Sequence, residues 1–212
     1  MSDDASFLWV QDDDLAEDVL RRPRTRVEGL PAEAGIWIFV LGDMTIFGLF
    51  FSVFAWEGRQ DRGLFAVSTA GLLQPAGVLN TLVLLLSSYA VVLALHAQRH
   101  DEAQRVRRCL ALALGCAVAF AAVKAFEYHH AIDHGHGLTS SIFDTFYFVM
   151  TGVHLLHVLI GAVLLLVWRR RAAADDPWPA RRGLAEAAAV YWHMVDLLWI
   201  IIFTLLYLVF AA

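Results

Sequence analysis

The residues of this chain that could do chemistry stand inside apolar stretches. Asp43, His154, His157, His193 and Asp196 form one set, and Asn80, Lys124 and Glu127 a second. An ionisable group at the centre of a bilayer costs at least about 2.5 kcal/mol on insertion scales, so each needs a partner or a purpose. Three chemistries suit the first set. Histidines and carboxylates can satisfy one another as packing glue between helices. The same groups can take up and relay protons. His154 and His157, spaced i and i+3, could with His193 and the two carboxylates complete a metal or haem site. His-x-x-His alone is a weak signal, so packing ranks first and proton handling second. In the second set Lys124 and Glu127, also i and i+3, share one helix face and can pair.

Two further groups are simpler to read. His129, His130, His134 and His136 fall within eight residues and could hold copper or zinc. A polar loop at the membrane surface accounts for them with fewer assumptions. Cys109 and Cys116 lie seven apart on one expected helix. That puts them roughly 10 Å apart along its axis, too far for a disulfide. They read as small apolar core residues.

The elements that must position these residues are membrane spans. The 212 residues are 59% hydrophobic and only 17% charged, against about 25% charged in soluble domains. Stretches near Ala34–Trp56, Gly71–Ala97, Cys109–Tyr128, Ile142–Trp168 and Ala187–Phe210 reach the roughly 20 residues that a helix needs to cross the hydrocarbon core. Backbone groups in lipid must pair within the span, so the fold class is all-α, an integral membrane bundle of five transmembrane helices. Residues 1–30 read as a polar cytosolic tail, partly disordered, with an apolar island at Phe7–Val10 suited to docking. Residues 31–212 are the five-helix domain. Met1-Ser2-Asp3-Asp4 has neither the basic start nor the apolar run of a signal peptide.

Orientation follows from arginine. Arg21, Arg22, Arg24 and Arg26 precede the first span. Arg99, Arg105, Arg107 and Arg108 fall around the second gap, and Arg169, Arg170, Arg171, Arg181 and Arg182 around the fourth. The first gap has only Arg59 and Arg62, and 129–141 has neither Lys nor Arg. The N-terminus is therefore expected in the cytoplasm and the C-terminus outside. Counting helical rise, the five residues of the first set can share one layer in the cytoplasmic half, with Asn80, Lys124 and Glu127 nearer the outside. Trp37, Trp56, Tyr128, Trp168, Trp178 and Tyr207 fall near span ends and read as interfacial belts. Trp192 and Trp199 read as a packing or lipid-facing stripe. Gly42, Gly48, Gly115, Gly152 and Gly161 read as sites of close helix contact.

Several stretches resemble a known family. Thr151-Gly152-Val153-His154-Leu155-Leu156-His157-Val158 is similar to the Thr-Gly-x-His-x-x-His-Val wording of subunit III of haem–copper oxidases. Trp192-His193-Met194-Val195-Asp196-Leu197-Leu198-Trp199 resembles that family's Trp-His-x-Val-Asp-x-x-Trp, with Glu186 just upstream. Glu127-Tyr128 and Leu79-Asn80-Thr81 match two shorter signatures. The match covers roughly 33–210 in order. The longest members have seven helices, and this chain reads as lacking the first two. Asp43 stands where the family has an intramembrane Glu, and Lys124 where it often has Gln. Five helices and an Asp at 43 resemble both the short form in quinol oxidases and the NorE-type protein associated with nitric-oxide reductase, and the wording Glu33–Asp43 is most similar to the NorE-type branch.

The resemblance implies an accessory subunit without redox centres, in a bacterial inner membrane. It would pack beside a catalytic subunit that carries haem and copper or non-haem iron. It would bind no cofactor itself, hold structural phospholipid, support assembly and stability, and assist proton uptake through electron transport. The alternative is a stand-alone membrane protein binding metal or haem through its intramembrane or loop histidines.

Overall fold

A computed structural model describes residues 30–172 and 178–210, with side chains over 35–172 and 182–210. Apart from Leu30, the expected polar tail and its apolar island lie outside the described residues, as does the Trp178 side chain. The described chain is helical: α1 Leu30–Gln60, α2 Arg62–Ala70, α3 Gln74–Arg99, α4 Ala103–Asp133, α5 Ile142–Arg171 and α6 Trp178–Phe203, which runs into a π-helical turn, Thr204–Leu208. Five of these helices are long and apolar enough to cross a membrane. The expected spans are all present, and the third is a longer helix than the apolar run Cys109–Tyr128 indicates.

Local chemistry sets the breaks. The Asp61 carboxylate accepts from the Leu64 amide at 3.0 Å and caps α2, while Pro75 stands in the first turn of α3, where its missing N–H costs no helical bond. The Ser141 hydroxyl accepts from the Asp144 amide at 3.0 Å and caps α5. Gly135 turns the α4–α5 loop at φ 84°, a conformation that glycine adopts without strain. The short helix α2 was not legible as an element, being only half apolar. It docks through Phe65, whose ring lies 5.2 Å from Phe54, 5.4 Å from Phe143 and 5.1 Å from Phe210.

Helix α6 is the centre of the bundle and packs on α1, α3 and α5. Over half of its apolar stretch is buried, against 17% for α1. Helix α1 instead turns Ile38, Leu41, Ile46, Leu49 and Trp56 outward, apolar groups suited to lipid or to another subunit. Gly161 lets α5 and α6 meet, because a Cβ there would come 2.8 Å from the Trp192 ring. Gly42, Gly48 and Gly115 have no such neighbour within 4 Å, so they are not contact glycines within the bundle. Trp192 and Trp199 are fully buried packing residues. Trp168 and Tyr207 also turn inward rather than into a belt. The Trp168 indole N–H donates to Gln98 Oε1 at 3.1 Å, and Tyr207 belongs to the site below.

Candidate functional site

The i, i+3 spacing on α4 brings Lys124 and Glu127 together as a buried ion pair. Nζ lies 2.9 Å from Glu127 Oε2, with side-chain exposures of 0% and 3%. The ammonium group has three protons to place. Besides Glu127 it donates to the hydroxyls of Tyr147 on α5 and Tyr207 in the π-helical turn, each at 3.3 Å. Tyr207 in turn donates to Glu127 Oε1 at 2.8 Å. The rings of Tyr128, Tyr147, Trp199 and Tyr207 surround Nζ at 4.8–5.9 Å, close enough for cation–π attraction in a desolvated setting. A π-turn inserts an extra residue into the helical path and is common at functional positions. Here it carries Tyr207.

Asn80 does not join this network. It is fully buried, and its amide N and O have no hydrogen-bond partner among the described residues. Its neighbour Thr81 accepts from the Trp199 indole N–H at 3.1 Å.

The first set does not form one hydrogen-bonded layer. It divides because its members stand on different faces of three helices. His157 Nε2 lies 3.0 Å from Asp43 Oδ1, joining α5 to α1. His157 Nδ1 lies 2.7 Å from the Val153 carbonyl. That carbonyl can only accept, so Nδ1 carries a proton. A hydrogen bond at Nε2 then requires a second proton, held either by the imidazole or by Asp43. The contact joins two helices, and Asp43 Oδ2 is buried with no partner among the described residues.

His193 Nδ1 pairs with Ser88 Oγ at 2.7 Å. Asp196, one turn further along α6, lies beside Ser88 without a hydrogen bond of good geometry. His154 packs between Phe120 and Trp199, at 5.6 and 5.3 Å, and neither ring nitrogen has a partner among the described residues. It therefore backs the aromatic wall of Lys124 rather than joining Asp43.

Cavities lined by described residues lie at both ends of the bundle. A groove of about 340 Å³ lies where α1, α3 and α6 meet, lined by Trp37, Leu95, Arg99, Glu186 and His193 among others. Arg99 is 3.8 Å from Glu186 there. At the opposite end a cavity of about 160 Å³ is lined by Leu72, Leu73 and Ala131 together with Ser68, Glu127, His130, His134, His136, Asp144 and Tyr147, among others. The loop histidines find separate partners. His130 and His134 stack at 4.1 Å, His136 pairs with Asp144 and His129 with Asp133, both at 3.3 Å. Among the described residues no three His, Cys, Asp or Glu gather in an arrangement that could hold a metal ion.

Sequence reading alone missed Ser88, Tyr147 and Tyr207 as site members. Tyr207 carried a signal, as a polar ring within an apolar span, that was spent on the interface reading.

Fold and site together define a multi-pass helical membrane protein built around buried acid–base pairs. The family model for cytochrome c oxidase subunit III matches residues 4–210. The chain therefore belongs to the cytochrome c oxidase subunit III family. It is 32% identical over 177 residues to a cytochrome c oxidase subunit 3 of Thermostichus vulcanus, covering 82% of this chain and 85% of the relative. A subunit 3 of Arabidopsis thaliana is 30% identical over 95% of this chain and 77% of its own length. A probable subunit 3 of Rickettsia conorii is 29% identical over 95% and 75%.

Proposed function

We propose that the chain is an accessory subunit of a haem–copper terminal oxidase, without redox centres of its own, that hands protons toward its catalytic partner through Asp43 and His157. The partner supplies the haem and copper. The observation that carries this reading is the contact between the two side chains. The Val153 carbonyl selects the tautomer with a proton on His157 Nδ1, and a hydrogen bond between Nε2 and Asp43 Oδ1, 3.0 Å apart, then needs one further proton. Asp43 stands on α1, the helix least enclosed by the rest of the bundle, so a partner packed there would be next to it. Arginine placement supports a cytoplasmic N-terminus, and in the inner membrane of a bacterial cell that orientation would set the pair in the half from which protons are taken up.

The groove beside Arg99 suits a structural phospholipid. Arg99 at its rim can meet a phosphate while Ile36, Leu95 and Val190 line the apolar part. A second reading is service to a nitric-oxide reductase, whose catalytic subunit carries haem and non-haem iron. The wording Glu33–Asp43 favours that NorE-type branch, while the Asp at 43 fits it and a quinol oxidase alike.

Asp43→Asn in the assembled complex tests the proton role. A carboxamide keeps the shape but cannot carry the proton. Slower turnover, or faster inactivation during turnover, is expected with haem content unchanged. Unaltered turnover and lifetime in a fully assembled complex would remove the proton role.

A further inference from the structure

The cavity at the α4–α5 loop end has a second function to offer. A buried ion pair that is only structural needs no route to water. Lys124 has none, at 0% exposure, but Glu127 and its neighbour Tyr147 form part of the cavity wall. The cavity's volume of about 160 Å³ has room for roughly five waters at about 30 Å³ each. Its wall includes four acid–base groups, His130, His134, His136 and Asp144, beside the apolar Leu72, Leu73 and Ala131.

We propose that this cavity is an aqueous vestibule through which protons from the outer side reach Glu127, making the Lys124–Glu127 pair an outward-facing proton-exchange site. One proton passes from vestibule water to the Glu127 carboxylate, which becomes a carboxylic acid, and the same proton leaves by the same route. No other bond changes. Tyr207 still donates to Oε1. The hydroxyls of Tyr147 and Tyr207 still accept from Lys124, and four aromatic faces surround it.

The polar and titratable groups around Glu127 and its cavity come from every element there. On its own helix they are Lys124, Tyr128 and His130; from the α4–α5 loop, His134 and His136; from α5, Asp144 and Tyr147; from the π-turn, Tyr207; from α2, Ser68. His154 stands behind the Trp199 ring. This site shares no residue with the Asp43–His157 pair, and its test needs no partner subunit.

Infrared difference spectra of the full chain in lipid nanodiscs, recorded as the buffer is acidified, read it directly. The native protein is expected to gain a protonated-carboxyl C=O band. Glu127→Gln loses that component, Asp43→Asn keeps it, and Ala131→Phe, which fills the vestibule, slows its appearance several-fold. Should Glu127→Gln fail to fold, Glu127→Asp assigns the band by shifting it. A spectrum with no component that depends on residue 127, or an unchanged rate in Ala131→Phe, would overturn the proposal.

Discussion

Lys124→Met isolates the energetics of the buried pair. Removing one member of a buried ion pair costs about 3–5 kcal/mol, because the remaining charge is left without compensation. Two observations put this case near the lower end. Glu127 keeps the Tyr207 hydroxyl as donor, and it borders a cavity that water can enter. The expected loss is therefore about 3 kcal/mol. The double variant Lys124→Met, Glu127→Gln leaves no buried charge. It costs only the weakened hydrogen bonds of Tyr147 and Tyr207, about 0.5–1.5 kcal/mol each. The single variant should thus be less stable than the double, although it changes fewer residues. Equilibrium unfolding in detergent micelles, with both variants and the native chain run side by side, gives the order. If the double variant is the less stable, the pair is not compensating charge and the reasoning fails.

Three further outcomes follow from the same geometry. Gly161→Val should lose about 1–3 kcal/mol in thermal unfolding, since its side chain would meet the Trp192 ring, whereas Gly115→Ala, with open space around it, should unfold as the native chain does. Trp168→Phe removes the donor to the buried Gln98 carbonyl oxygen and should cost about 1–3 kcal/mol in the same assay, with Gln98→Leu restoring part of the loss in the double variant. Thr81→Val should shift and broaden the Trp199 indole N–H resonance, because it deletes that proton's acceptor, while leaving helix content unchanged by circular dichroism.

The spans were legible because lipid admits few alternatives. A run of about 20 apolar residues must be a helix, and ionisable residues within it announce themselves. Lys124 and Glu127 were legible as a pair for the same reason, since their contact lies within a single helix. Contacts between helices were not. Which rings close over Lys124 depends on how α4, α5 and α6 rotate against one another, and the π-turn that carries Tyr207 leaves no distinct pattern in Thr204–Leu208. His154 and His157 illustrate the limit. Three residues apart on α5, they face different neighbours, one an aromatic wall and the other a carboxylate on α1. The glycines erred in the opposite direction, because a small residue permits close contact without requiring it. Phe65 and α2 were hidden by the polar company of Arg62 and Ser68.

The central claim, that this subunit works beside a haem–copper catalytic subunit, is tested most directly by purifying the tagged chain from its native membrane in mild detergent. Subunit composition and the optical spectrum of the product are then measured together. The account predicts a catalytic subunit in stoichiometric amount and the haem absorption that it brings. A chain that purifies without any haem-bearing companion, from membranes active in respiration, would contradict it.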